Sequence, residues 1–232
     1  MCGRYTQTAA FDELALRFGI TVEEVGGEEV VSRYNVAPSQ PVPIVVADNG
    51  GRRLVMARWG FHPAWMKTSK LAPINAKAET VATSGMFEAA VRRGRCLVPA
   101  AGFYEWQPVP GQKRKQPFYV RLKGGGLIGF AGLWTPPDPQ IGAPPTCAII
   151  TTTANELLAQ IHDRMPVILE PDDEARWLDA RVTDPGHVLP CLRPLPADRL
   201  EVYPVSMLVS SPDTEGAQLV EPITVEGRVA QP

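Results

Sequence analysis

Cys2 stands where removal of the initiator methionine would place it at the amino terminus, and small residues after an initiator Met generally permit that removal. An N-terminal Cys carries a thiol and a free α-amine on adjacent carbons. The amine ordinarily titrates at about 7.7–8.0 and the thiol at about 8.5. A useful fraction of the amine is therefore uncharged at neutral pH. Such a 1,2-aminothiol condenses with an aldehyde to an imine, which the sulfur closes to a thiazolidine ring. It can equally attack an amide as an N-terminal nucleophile. Against this, a Cys at position 2 is also what chance at the second codon would give. Arg4 bears on the choice, because a cation two residues away would lower the thiol pKa and could hold a phosphate. An ordinary surface Arg would look the same.

Three internal stretches carry further groups suited to chemistry. In Pro73-Ile74-Asn75-Ala76-Lys77-Ala78-Glu79-Thr80, Asn75 and Lys77 share a side if the segment is extended. They could hold a nucleophile beside a phosphate, or form a polar turn before a helix. In Arg95–Trp106, Glu105 is a lone carboxylate among apolar and aromatic residues. Buried, its pKa would rise toward neutrality and suit it to proton transfer; on a half-exposed strand it would simply face water. In Ile161-His162-Asp163-Arg164-Met165-Pro166, His162 at the end of a helix could shuttle protons and Arg164 could bind a phosphate. A helix-end His beside an ion-paired Arg is the plainer alternative. Trp59, Trp65 and Trp106 could stack on bases, although buried Trp is usually core.

The elements that must position these groups are those of one domain. The 232 residues are 44% hydrophobic and 21% charged, enough for a sizeable core. The start lacks the basic and apolar pattern of a signal peptide, and no apolar stretch has the length of a membrane span. A cytoplasmic, nucleoid-associated protein is expected, with no membrane partner. Cys2, Cys96, Cys147 and Cys191 lie far apart, with His62, His162 and His187 the only histidines. No metal site, disulfide framework or cofactor is expected from that spacing, and Cys96 and Cys147 read as buried, inert thiols. The net charge of −2 does not advertise a nucleic-acid binder. Basic residues nevertheless cluster at Arg92, Arg93 and Arg95 and at Lys113, Arg114 and Lys115, with acid at Glu23-Glu24 and Glu28-Glu29. Either a polyanion-binding face or a solvated mixed surface fits.

Abundant Pro and Gly (24 and 20) predict short strands and many turns. Strands are expected at 42–47, 53–59, 96–99, 103–107, 118–122, 127–134, 147–152, 166–169 and 200–204. Helices are expected at 9–18 after Thr8, 85–93 after Ser84, 154–162 after Thr153, and 171–178 opening with Pro. Segments 108–116 and 136–145 read as loops. Without βαβ alternation the expected class is α+β: a β-rich single domain over 2–211, its core a mixed or antiparallel barrel-like sheet with flanking helices. Residues 212–232 read as an extended or disordered tail.

Singly these signals are weak, but their order is specific. Cys2-Gly3-Arg4, Asn35-Val36-Ala37-Pro38, Trp59-Gly60-Phe61, Asn75–Thr80, Gly102-Phe103-Tyr104-Glu105-Trp106, Ala131-Gly132-Leu133-Trp134, Thr151-Thr152-Thr153-Ala154-Asn155 and His162–Pro166 closely resemble the SOS response-associated peptidase family, the abasic-site crosslinking proteins of bacteria and eukaryotes. The resemblance runs from Cys2 to about Val209. It implies recognition of abasic sites in single-stranded DNA and a thiazolidine link between the opened sugar and Cys2, which shields the lesion. By motif it makes Cys2 the nucleophile, with Asn75, Glu105 and His162 completing the active site. It matches Arg4, Lys77 and Arg164 to DNA-backbone contacts, and the Trp59–Trp65 segment to the approach of bases. Lys77 departs from the family, where Arg is usual, and Lys lacks bidentate phosphate geometry. A monomer is expected. Two other classes start from the same residues. An N-terminal Cys amidohydrolase also begins Cys-Gly, but its usual Arg-Gly-Pro-Asp run is missing here. A non-covalent single-stranded DNA-binding module would leave Cys2 idle.

Overall fold

The longest apolar runs of the sequence become strands buried on both faces. A computed structural model describes residues 2–22, 30–48, 50–66 and 72–224. Its strands, in chain order, are β1 (Tyr5–Gln7), β2 (Ile20–Val22), β3 (Arg33–Val36), β4 (Pro41–Asp48), β5 (Gly51–Trp59), β6 (Asn75–Lys77), β7 (Arg95–Ala100), β8 (Gly102–Gln107), β9 (Gln116–Leu122), β10 (Ile128–Thr135), β11 (Thr146–Thr153), β12 (Arg164–Pro166), β13 (Ile168–Leu169) and β14 (Leu200–Pro204). The helices are α1 (Phe11–Phe18), α2 (Glu88–Arg93) and α3 (Pro171–Leu178). None of them is long and apolar enough to cross a membrane.

Strands run in the order β11-β10-β7-β4-β5, and β5 returns to pair in parallel with β11. This closes a barrel and leaves those strands no free edge. A second, five-stranded sheet runs β14-β9-β8-β1-β3. Along the barrel strands the two faces alternate with the period of the pleat. Ile44, Val46, Val98, Phe130, Cys147 and Ile149 join one core with Cys2 and with Tyr5 and Phe103 of the second sheet. Val45, Leu97, Leu133, Ala148 and Ile150 join the other, with Leu14 and Phe18 of α1, Val91 of α2 and Trp177 of α3. The expected α+β class and barrel-like sheet core with flanking helices are what the structure has.

The nine expected strands occur, most with ends shifted by one or two residues and 200–204 as expected, except that 166–169 divides between β12 and β13. Met165 and Pro166 pair with β11 while Ile168 and Leu169 pair with β10. Four further strands, β1, β2, β3 and β6, were not expected. Helix α1 starts two residues later than predicted, with Ala10 rather than Thr8 at its cap, because the Ala10 N–H donates to the Glu13 carboxylate (2.9 Å). Helix α2 begins at Glu88 after turns at Thr80–Ser84. The helix expected at 154–162 is one 3-10 turn, Leu158–Gln160. The Ala154 N–H donates to Asp163 O (3.0 Å) and the Asn155 amide to Leu195 O (2.8 Å), so the segment is held as a connection between β11 and β12.

Two more expectations change. Of the expected tail 212–232, residues 212–224 are folded onto the second sheet: Leu219 is buried, Val205 and Pro222 form a bridge, and Glu215 accepts the Tyr34 N–H (2.8 Å), while 225–232 lie outside the described residues. Arg95 does not belong to a basic surface patch. It is buried, and its guanidinium donates to the carbonyls of Trp177, Val91, Arg92, Asp179 and Val182. The acidic residues at 23–24 and 28–29 lie outside the described residues.

Candidate active site

Cys2 leads into β1, which lies antiparallel to β8 with Tyr5 opposite Phe103 and Thr6 opposite Gly102. The Tyr104 N–H donates to Arg4 O (3.0 Å) and carries this pairing toward Cys2. Gly102 is required where it stands. A Cβ there would lie 2.5 Å from the Tyr119 ring, whose hydroxyl pairs with the Thr6 hydroxyl (2.8 Å). On β8, Phe103 turns to the barrel core while Tyr104 joins the outer cluster with Tyr119 and Val209. Glu105 follows the parity of Phe103, toward the barrel and Cys2. It is 2% exposed, and burial pushes its carboxyl up to about 7. The condition set by the sequence, a buried carboxylate in an aromatic stretch, is therefore met.

The thiol of Cys2 is fully buried, and burial followed by the Glu105 carboxylate pushes its pKa upward. This overturns the expectation that Arg4 activates it. The Arg4 guanidinium is turned aside, donating to Asn35 Oδ1 (2.7 Å) and Val209 O (2.9 Å), with Cζ 5.9 Å from the Trp106 ring centroid. The thiol is protonated at neutral pH, so any attack by sulfur needs a base at the moment of bond formation. Cys96 and Cys147 are buried, with pKa values raised by the same desolvation, in keeping with inert thiols.

Asn75 and Lys77 are presented by β6, a three-residue strand parallel to β11 with Asn75 opposite Ile149 and Lys77 opposite Thr151. They share a side across the buried Ala76, and Lys77 is exposed. The Asn75 amide nitrogen reaches Ile149 O at 3.4 Å, while its Oδ1 is buried with no hydrogen-bond partner among the described residues. A buried acceptor of this kind calls for a donor. Trp59 holds this strand from beneath: its indole N–H donates to Ile74 O (2.9 Å), and its ring packs edge-on against Tyr5 (5.3 Å). Trp59 is fully buried, which corrects its assignment as a base-stacking residue. Gly60 follows at φ +148, a conformation side chains disfavour, and its N–H donates to Cys147 O (2.9 Å). Trp65, 62% exposed, and Trp106, half-buried with its N–H on Ser210 Oγ (3.1 Å), remain on the surface.

His162 sits between the 3-10 turn and β12. Gln107, two residues beyond Glu105, donates to Gln160 O and so ties the end of β8 to this turn. Burial lowers the pKa of His162, favouring the neutral ring. Its Nδ1 accepts the Arg164 N–H (3.0 Å) and lies 2.9 Å from Asp163 Oδ1. One atom cannot serve as acceptor to the first and donor to the second. In the neutral ring it accepts from Arg164, which leaves the proton on Nε2. Arg164 itself is engaged: Nη1 and Nη2 donate to the Glu79 carboxylate (2.6 and 2.9 Å) and Nη2 also to Thr151 O (2.6 Å). The guanidinium in turn holds Glu79 below the usual carboxylate range. Arg164 thus staples β12, β11 and the end of β6 together.

Two members of this arrangement were missed in the sequence. Asn35 anchors Arg4 and donates to Ser211 O and Thr214 O (both 2.8 Å); Glu79 grips Arg164. Both lay within motifs singled out there, but as polar residues with no obvious chemistry. Among the described residues no group of three or more His, Cys, Asp or Glu is placed to hold a metal ion. The arrangement offers a buried aminothiol precursor, a carboxyl poised near neutrality and an imidazole that carries a proton.

The pattern is a known one. The profile of the SOS response associated peptidase (SRAP) family matches residues 1–212. The chain belongs to that family. Among its relatives, abasic site processing protein YoqW of Bacillus subtilis is 42% identical over 224 residues, covering 95% of this chain and 99% of that one. Abasic site processing protein YedK of Escherichia coli is 30% identical over 226 residues, covering 96% and 100%. A crystal structure of a protein from Bacteroides thetaiotaomicron superposes with a TM-score of 0.85 at 23% identity, covering 96% of this chain and all of the other, and shares the fold.

Proposed function

We propose that this SRAP protein binds abasic sites in single-stranded DNA and joins the opened sugar covalently to Cys2 as a thiazolidine. The observation that carries the reading is Cys2 buried beside Glu105, a carboxyl whose burial holds it near neutrality. The names of the relatives, abasic site processing proteins, supply the substrate class.

With Met1 removed, Cys2 carries the reactive amine. His162 transfers protons as the sugar hemiacetal opens: one leaves the C1′ hydroxyl and one arrives at the ring oxygen. The neutral amine adds to the aldehyde carbon, and protonated Glu105 delivers a proton to the carbinolamine hydroxyl, which departs as water. The resulting carboxylate takes the thiol proton as sulfur bonds to the imine carbon, and the ring nitrogen ends as a neutral amine. Asn75 Oδ1 accepts from the Cys2 amine and orients it. Each proton-transfer role contributes roughly 10²–10⁴ in rate. Lys77 faces the DNA backbone, while Arg4, held by Asn35 and Val209 O, supports the Trp106 ring beside it. Lys77 offers a single point charge, whereas Arg164 acts chiefly by fixing the His162 segment. The lesion is shielded in the cytoplasm, at the nucleoid.

The peptidase in the family description fits the same groups turned on the Met1–Cys2 bond, an autoprocessing step that exposes the aminothiol. Borohydride trapping tests the order of steps. Cys2→Ser keeps the amine and loses the sulfur, so it should yield an adduct with an abasic oligonucleotide only when reduced. Cys2→Ser giving a link that survives denaturation without reductant would remove sulfur from the mechanism.

A further inference from the structure

An open cleft of about 860 Å³ adjoins the candidate site, between the loop that follows β8 and the segment that follows β14. Its walls are Trp106, Arg114 and Lys115 on one side and Met207, Leu208 and Ser211 on the other. We propose that this cleft carries the DNA strand on one side of the lesion, with Arg114 and Lys115 pairing its phosphates and Trp106, Met207 and Leu208 forming an apolar floor for a base. The proposal rests on the abasic-site reading above and extends it to residues outside the reacting centre.

Three observations support the occupant. Arg114 and Lys115 are both exposed, and no carboxylate lies within ion-pair distance of either among the described residues. Glu215, near the far wall, is already committed to the Tyr34 N–H and faces Arg33 at 3.9 Å, so it does not neutralise them. Leu208, 55% exposed, lines the cleft with Met207 and Trp106, which sets apolar and aromatic surface beside the two cations. Such a pairing of cations with an aromatic and apolar floor is the general design for a single strand, where bases stack and phosphates are tracked by charge.

Continuity with the reacting groups is direct. Trp106 follows Glu105 in β8, its indole is pinned by Ser210, and Arg4 lies over its ring. Lys115 is close enough to lower the pKa of both Glu105 and His162. A strand leaving the reacting centre past Trp106 therefore enters the cleft at its basic wall. The volume lies in the range of ordinary small-ligand sites, about 300–1,000 Å³, which suits one or two nucleotides rather than a duplex.

The test uses oligonucleotides bearing a stable, non-reacting tetrahydrofuran analogue of the abasic site, read by fluorescence anisotropy across salt concentrations. Losing two phosphate contacts should make the slope of log K against log salt shallower by about 1.4, at roughly 0.7 per single-strand contact. Taking binding as equal at 1 M salt, the Arg114→Ala/Lys115→Ala variant should then bind roughly 25-fold more weakly at 0.1 M. The Arg114→Gln/Lys115→Gln pair, which keeps the loop polar, should do the same. Removing the flank on one side of the lesion should weaken the wild-type protein more than the double variants, which have already lost the phosphate contacts and keep only the apolar floor. Unchanged slopes, or equal loss from that truncation in all proteins, would overturn the cleft assignment. A parallel incubation of wild-type protein with true abasic DNA separates the two ideas: absence of an adduct there would sink the crosslinking reading, whereas the slopes and the truncation decide the cleft.

Discussion

Replacing Glu105 by Gln should change how stability depends on pH, in a direction set by the burial of the carboxyl. Burial raises the carboxyl from its ordinary 4.5 to about 7 in the folded chain. Between those values the folded state holds a proton that the unfolded state releases. Stability therefore falls as pH rises through that window and levels off above it. A shift of that size corresponds to roughly 3 kcal/mol, the penalty of carrying a buried charge at high pH. Across pH 5 to 8 alone, the wild type should lose about 2–3 kcal/mol relative to Glu105→Gln, because part of the titration lies below pH 5. Urea denaturation of both proteins at several pH values measures this directly, and taking the difference between them cancels the other titrating groups. A difference between wild type and variant that stays flat from pH 5 to 8 would mean that Glu105 is not held near neutrality, and its role as proton donor would fall with it.

Trp59 and Trp65 should separate cleanly. Trp59→Phe removes the donor to Ile74 O and should destabilise the fold by about 1–3 kcal/mol, whereas Trp65→Ala, exposed, should leave stability within about 0.5 kcal/mol and weaken DNA binding. Thermal melts and anisotropy check both, and an unperturbed melt for Trp59→Phe would contradict its place beneath β6. Arg95→Lys replaces a guanidinium serving five carbonyls with an ammonium of three donors. It should lower stability by about 2–5 kcal/mol in urea titrations; a loss below about 1 kcal/mol would show that those carbonyls find other donors.

The contrast between these tryptophans shows what a sequence can and cannot say. Barrel strands such as 147–152 were legible because burial on both faces leaves an unbroken apolar run. β1, β3 and β6 were not: they bury Thr6, Gln7 and Asn35 or carry Asn75, and are strands only because partners from distant parts of the chain accept them. The helix expected at 154–162 failed for a related reason. Asn155 uses its side chain on Leu195 O and on the Leu158 N–H, long-range and capping bonds that no local pattern announces. In the site, motif order located Cys2, Asn75, Glu105 and His162 as candidates. The environment of each depended on tertiary contacts: Arg4 turned to Asn35 rather than to the thiol, and Arg164 was engaged by Glu79. Charge type was readable in both cases; the direction in which it was spent was not.

The central claim is the covalent role of Cys2, and intact mass tests it most directly. The purified protein is weighed before and after incubation with a single-stranded oligonucleotide containing one abasic site. The account predicts a starting mass lacking Met1, then a denaturation-stable species heavier by the DNA fragment less one water, and no such species from Cys2→Ala. A Met-free protein that forms no adduct, or a Cys2→Ala variant that forms the same one, would contradict it.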